Sequence, residues 1–105
     1  MRLRKKSDDL LEDELLQMSK VFDALAHPAR IRIFRFIMKC NKDRQPVCNK
    51  DVVAAFDYSQ ATISQHLSKL ASSELIHVKK NEKFSMYYAN FGTLMKYLDA
   101  FKKFE

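Results

Sequence analysis

The apolar residues Leu11, Leu15, Met18, Phe22 and Leu25 recur at intervals of four, three, four and three, with Asp and Glu on the opposite side. That is the narrow seam of a helix that packs against another helix. Ser7 followed by Asp8 and Asp9 supplies its start, because acids in a first turn face the positive end of the macrodipole, and the pattern fades near Ala26. Pro28 is tolerated where an N–H has no intrahelical acceptor, so a second helix is predicted from Pro28 to about Lys39. Ile33, Phe34, Ile37 and Met38 form its core face, Arg30, Arg35 and Lys39 its rim, and His27 stands at the junction. Residues Asn41 to Asn49, polar and interrupted by Pro46, read as a loop.

Asn49 can cap a short third helix from Lys50 to Phe56, with Val52, Val53 and Phe56 inward. Asp57 and Tyr58 make a tight connection, and Ser59 caps a fourth helix from Gln60 to about Ser72. Its Ile63, Leu67 and Leu70 share one side, which turns Gln60, Ala61, Thr62, Ser64, Gln65 and Lys69 away from the core. A short helix, a tight turn and a longer polar-faced helix make a helix-turn-helix. Leu75 to Lys79 and Phe84 to Ala89 are β-prone, joined at a tip of Lys80, Asn81, Glu82 and Lys83, where Asn81 is the residue best suited to a positive φ. The result is a basic wing. A fifth helix from about Phe91 to Phe104 carries Phe91, Leu94, Leu98 and Phe101, with Met95, Tyr97 and Phe104 beside them, more apolar surface than one small core can take. Part of it should meet a partner. The fold class is therefore mainly α with a small β-hairpin, a winged helix-turn-helix in the order α-α-α-α-β-β-α. It has a basic tail over residues 1–7 and one domain over 8–105.

Composition narrows the function. At 105 residues the chain makes one domain, small enough that self-association would add useful burial. A single glycine, Gly92, excludes the glycine-rich phosphate cradles of nucleotide-binding folds. The net charge of +6 favours a polyanion, with nucleic acid first. Cys40 and Cys48 show no disulfide-framework spacing, and no apolar run is long enough for a signal core or a membrane span, so the chain reads as cytoplasmic with no membrane partner. The basic start Arg2, Arg4, Lys5, Lys6 is either a phosphate contact or a solvated tail.

The fourth helix carries the most specific chemistry. Gln60 and Gln65 can bond an adenine edge in bidentate fashion, Ser64 and Thr62 reach bases or phosphates, and the methyls of Ala61 and Thr62 can meet a thymine methyl. Lys69, farther along, suits a phosphate. The plainer reading is a solvated helix face; the neighbouring short helix and basic hairpin turn the balance toward double-stranded DNA. Lys79, Lys80 and Lys83, with His77, outnumber Glu82 in the wing, which suits phosphate contact and equally protects an edge hairpin from aggregation.

The sequence resembles the ArsR/SmtB winged-helix transcriptional repressors. The resemblance rests on Ala24 to Arg30 (ALAHPAR) with Ile31, Ile33 and Phe34, on Ser59 to Leu70 (SQATISQHLSKL) and on Glu74 to Ile76 (ELI), and spans about residues 15–100. It implies a homodimer built by the first and last helices, with Leu11, Leu15, Met18, Phe91, Leu94, Leu98 and Phe101 at the interface. It also implies an imperfect palindromic operator read by two copies of the fourth helix, with Gln60, Ala61, Ser64 and Gln65 facing bases. One family metal site uses a Cys-x-Cys pair, but here Pro46 precedes Cys48 and offers no donor atom. The other uses carboxylates and histidine on the last helix, where this chain has Asp99 and Glu105 but no histidine. His27, His66 and His77 show no ligand spacing in the sequence, and His66 reads as a packed structural residue. No metal, cofactor or small-molecule ligand is expected. The thiol-sensing relatives place cysteines on the second and last helices, where this chain has Arg35 and none. Cys40 and Cys48 could still close their loop as a redox pair, or be plain thiols.

Three function classes remain: a dimeric sequence-specific DNA-binding repressor, a protein-interaction module using the aromatic last helix, and an enzyme. The last has no visible nucleophile, base and oxyanion set, since Ser64 and His66 are two apart on a helix and point in different directions.

Overall fold

The computed structural model describes residues 12–104, so Ser7, Leu11 and the basic start lie outside the described residues. Four helices come first: α1 (Glu12–Ala24), α2 (Pro28–Lys42), α3 (Asn49–Ala55) and α4 (Gln60–Ser72). The hairpin of β1 (Ile76–Lys80) and β2 (Ser85–Ala89) follows, then α5 (Phe91–Ala100) and a 3₁₀ turn over Phe101–Phe104. The predicted order is the observed one. The last helix, however, leaves α geometry at Ala100, four residues before the expected end.

Local chemistry sets each start. Pro28 occupies the first turn of α2, and the amide of Ala29 donates to His27 Nδ1 at 3.2 Å, which makes His27 the cap. Ser59 Oγ accepts from the Thr62 amide at 3.1 Å at the head of α4. For α3 the expected cap is displaced by one residue. Asn49 is already helical, the cap is Cys48, and its N–H donates to Asp51 Oδ2 at 2.8 Å, half of a capping box.

The second helix outruns its expected end because its last turn has a tertiary anchor. The Asn41 side chain donates from Nδ2 to the Tyr87 carbonyl at 3.3 Å and accepts from the Ala89 amide at 2.7 Å, serving β2 as a neighbouring strand would. Residues 41 and 42 are therefore helical, where a loop was predicted. Beyond them the Tyr87 amide donates to the Val47 carbonyl at 2.9 Å, and Cys48 bridges Met86. The free edge of β2, in a two-stranded sheet that would be marginal alone, is thus tied to the helical body.

Two helices end in Schellman motifs without glycine. After α2, Arg44 takes φ 59° while the Gln45 amide reaches the Cys40 carbonyl at 2.8 Å; after α4, Glu74 takes φ 65° while the Leu75 amide reaches Leu70 at 3.1 Å. Among the described residues these, and not Asn81, take a positive φ. Asn81 instead builds the wing tip with its side chain, whose Oδ1 accepts from the Phe84 amide at 2.8 Å and from that of Lys83 at 3.1 Å.

The strands are antiparallel, with Ile76 opposite Ala89 and Lys80 opposite Ser85. Val21, Ile33, Ile37, Val52, Ile63, Leu70, Leu75 and Ile76 are sealed in one core fed by every helix up to α4 and by β1. Leu70 lies at its centre and at the C-terminal lock of α4. Leu70→Ala is therefore expected to destabilise the chain by about 2–5 kcal/mol, measured by urea unfolding; a loss below about 1 kcal/mol would mean that this site is not the packed centre.

Candidate nucleic-acid interface

Along α4, Ile63, His66, Leu67 and Leu70 are buried, and Gln60, Ala61, Ser64, Gln65 and Lys69 are exposed. The helical stripe thus orients the polar set outward, as its spacing predicts. Thr62 is less available. It is half-buried, and its Oγ1 accepts from Ser59 Oγ at 2.9 Å within the cap. Lys69 is not an unpaired cation: its Nζ lies 3.1 Å from Asp23 Oδ2 on α1, with both side chains more than half exposed. Such a pair is weak and exchangeable.

Behind this face sits a polar cluster that no spacing in the sequence revealed. His66 approaches His27 at a ring-centroid distance of 5.0 Å and Tyr58 at 6.2 Å, although His27 and His66 are far apart in the chain. Arg30 closes the cluster, with Nη1 3.5 Å from His66 Nδ1 and Nε donating to the Ala24 carbonyl at 2.7 Å. Burial first, then the nearby His27 and Arg30, hold the His66 imidazolium below its ordinary pKa. A neutral, packed ring is the result.

In the wing, Lys79, Lys80 and Lys83 are all exposed, and Lys79 Nζ lies 5.6 Å from the centre of the Tyr88 ring. His77 meets the Asn90 side chain at 3.1 Å. One cation was missed: Lys50 of α3 places Nζ 5.5 Å from the centre of the Phe84 ring. Spacing cannot show this contact, because it joins a helix start to a hairpin tip.

Of the residues expected at a self-association face, Phe91 is 50% exposed, Leu98 44% and Phe101 47%, the last with its ring 5.2 Å from Phe22. Leu15 and Leu94 are half-buried against the core. Met18, at 6% exposure, belongs to its own chain's core and leaves little surface for a partner. Leu16, which the seam pattern passed over, is 61% exposed instead. Cys40 and Cys48 are free thiols, and burial followed by the Asp51 and Asp43 carboxylates pushes the Cys40 pKa upward, away from thiolate chemistry. Among the described residues, no three His, Cys, Asp or Glu gather as a metal site, and no helix is long and apolar enough to cross a membrane.

Comparison with known proteins places this geometry. A family model described as a helix-turn-helix domain matches residues 25–79. The chain is 30% identical over 74 residues to the arsenical resistance operon repressor of Staphylococcus xylosus, a match covering 70% of this chain and 66% of that protein. An ArsR-like transcriptional regulator from Rhodococcus sp. RHA1 superposes with a TM-score of 0.75 at 20% identity, over 88% of this chain and 82% of that one. The homodimeric winged helix-turn-helix DNA-binding domain of Mb0332 from Mycobacterium bovis gives 0.69 at 18% identity, over 91% and 84%.

The His66 environment makes stability depend on pH. With its folded pKa depressed, the unfolded chain binds more protons as pH falls below the ordinary histidine value of about 6.5. The contribution is therefore complete above that value and is lost as pH falls through the folded pKa. The expected outcome is a melting temperature that drops from pH 7 to 5, with a smaller drop in His66→Gln; parallel pH profiles would disprove the assignment.

Proposed function

Because the chain belongs to the ArsR family of winged helix-turn-helix transcriptional regulators, a family of regulators and not of enzymes, we propose that it is a dimeric repressor. In this reading two copies of α4 enter successive major grooves of an imperfect palindrome and exclude polymerase from overlapping DNA. The observation that carries the reading is the outward face of α4, where Gln60, Ala61, Ser64 and Gln65 are exposed and uncharged while the opposite side is sealed in the core. Short amides and hydroxyls on a rigid helix match base edges; a face evolved only for solubility would carry charge. Lys79, Lys80 and Lys83 add phosphate contacts from the wing.

Dimerisation is assigned to α1 and α5. Phe91, Met95 and Leu98 on α5 and Leu16 on α1 are large apolar side chains left in water by the single chain, and a second copy is the occupant favoured by the homodimeric relative. Leu15, Leu94 and Phe101 border that patch, and Leu11 lies outside the described residues. The reading includes no metal site. Pro46 supplies no ligand, and the one close histidine pair, His27 and His66, is faced by the Arg30 guanidinium, which disfavours a second cation. It includes no redox role for Cys40, whose thiol is held protonated.

Two outcomes test the reading. DNA recovered by the full chain from a random pool should contain an inverted repeat, and Gln60→Ala and Gln65→Ala should each weaken binding to it by about 1–3 kcal/mol while barely changing affinity for random duplex. Unchanged selectivity in both variants would remove direct readout by these amides. Leu98→Glu should leave circular dichroism intact and yield a monomer in sedimentation, with loss of inverted-repeat binding; a persisting dimer would exclude this face.

A further inference from the structure

We infer that the strip running from Gln60 across α3 to the wing tip is a second, sequence-independent DNA contact, in which Lys50 meets a backbone phosphate and Phe84 holds Lys50 in position. The inference rests on the reading of α4 as the base-reading helix. It starts from a cavity of about 290 Å³ lined by Asn49, Lys50, Val53, Ala54 and Gln60. Gln60, the first residue of α4, thus shares a groove with the second residue of α3. Lys50 in turn stands over Phe84, which is 39% exposed and belongs, with Asn81, Glu82 and Lys83, to the wing tip. A duplex strand that leaves the reading helix toward the wing must cross Lys50.

Charge supports this occupant. Lys50 makes no ion pair among the described residues, whereas Lys69 and Lys102 are paired with Asp23 and Asp99. The nearest acid in sequence, Asp51, is engaged at the cap, accepting the Cys48 N–H. An aromatic ring orients the ammonium without neutralising it, because the attraction comes from the ring quadrupole and leaves the full positive charge for an anion. Val53 and Ala54 give the groove apolar walls that suit deoxyribose, and Lys50 stands over the Phe84 ring at a wing tip that Lys83 and Glu82 also line. An acidic peptide would satisfy the lysines but would have no reason to share the groove with Gln60.

The test compares salt dependence in the full chain. For the preferred inverted repeat and for random duplex, log affinity is plotted against log salt for the unmodified protein, Lys50→Met, Lys50→Arg and Phe84→Leu. Lys50→Met should reduce the steepness by about 0.9 for each copy contacting a phosphate and weaken both duplexes by the same factor, and Lys50→Arg should restore the steepness. Phe84→Leu should weaken both duplexes, with little further effect once Lys50 is Met. An unchanged slope in Lys50→Met, or a loss confined to the preferred duplex, overturns the phosphate contact. If the unmodified protein selects no duplex, the reading of α4 itself fails and takes this contact with it; if it selects one while Lys50→Met keeps the full slope, only this contact falls.

Discussion

The burial of Ile63, Leu67 and Leu70 along one side of α4 is the constraint on which the other features depend. Each fully buried aliphatic side chain contributes about 1.5–3 kcal/mol, while the Ser59 cap contributes about 1 kcal/mol, so the stripe and not the cap sets the helix's rotation. Turning α4 by one residue would carry this stripe toward water and bring Ser64 and Ser68, or Thr62 and Lys69, toward the core. The polar face is outward because any other orientation costs more than the whole cap supplies.

Rotation alone does not fix where α4 lies relative to α1, and there polar contacts take over. Gln17 Nε2 donates to the Ser73 carbonyl at 2.9 Å, Asp23 meets Lys69 at 3.1 Å, and Arg30 spans from the Ala24 carbonyl to His66. The exposed ion pair is worth little. Arg30 matters more, since it satisfies carbonyls at the C-terminus of α1 that have no intrahelical donor, and its charge favours the negative end of that helix. The same guanidinium helps keep His66 neutral, so one side chain closes α1, orders the junction and sets the protonation of a ring packed behind the reading face.

Much of this fold was legible because its signals are local. Ser59 three residues before Thr62, Pro28 at a first turn, and Ile63, Leu67 and Leu70 on one side of α4 each report a nearby backbone requirement, and α2 and α4 start where these signals place them. In the hairpin, β1 lies one residue later than expected, at Ile76–Lys80, and β2 starts one residue later, at Ser85. What escaped depends on tertiary partners. Asn41 reads as a loop residue until β2 supplies donors and acceptors for its amide. The Schellman turns at Arg44 and Glu74 carry no glycine to announce them, and their strained φ is tolerated because the following Gln45 and Leu75 amides close the helix ends. His27 with His66, Lys69 with Asp23, and Lys50 with Phe84 join elements distant in sequence. The burial of Met18 was hidden for a related reason: a narrow seam does not say which of its residues face the chain's own core.

The placement of cations across the surface follows a consistent physical division. On α4 the outward side chains before Lys69 are uncharged, so the stretch from Gln60 to Ser68 has little Coulombic pull of its own, and Lys69 beyond it faces Asp23 across an exposed pair. Lys50 and Lys79 stand against aromatic rings, Phe84 and Tyr88, which orient them while leaving their charge uncompensated. In the proposed complex, affinity and selectivity therefore arise in different places. Phosphates attract α3 and the wing irrespective of sequence, and the neutral amides of α4 discriminate among bases because no strong local charge masks a poor hydrogen-bond match. Moving a lysine from the wing to the centre of α4 would raise affinity for every duplex alike and narrow the margin by which the preferred one is distinguished.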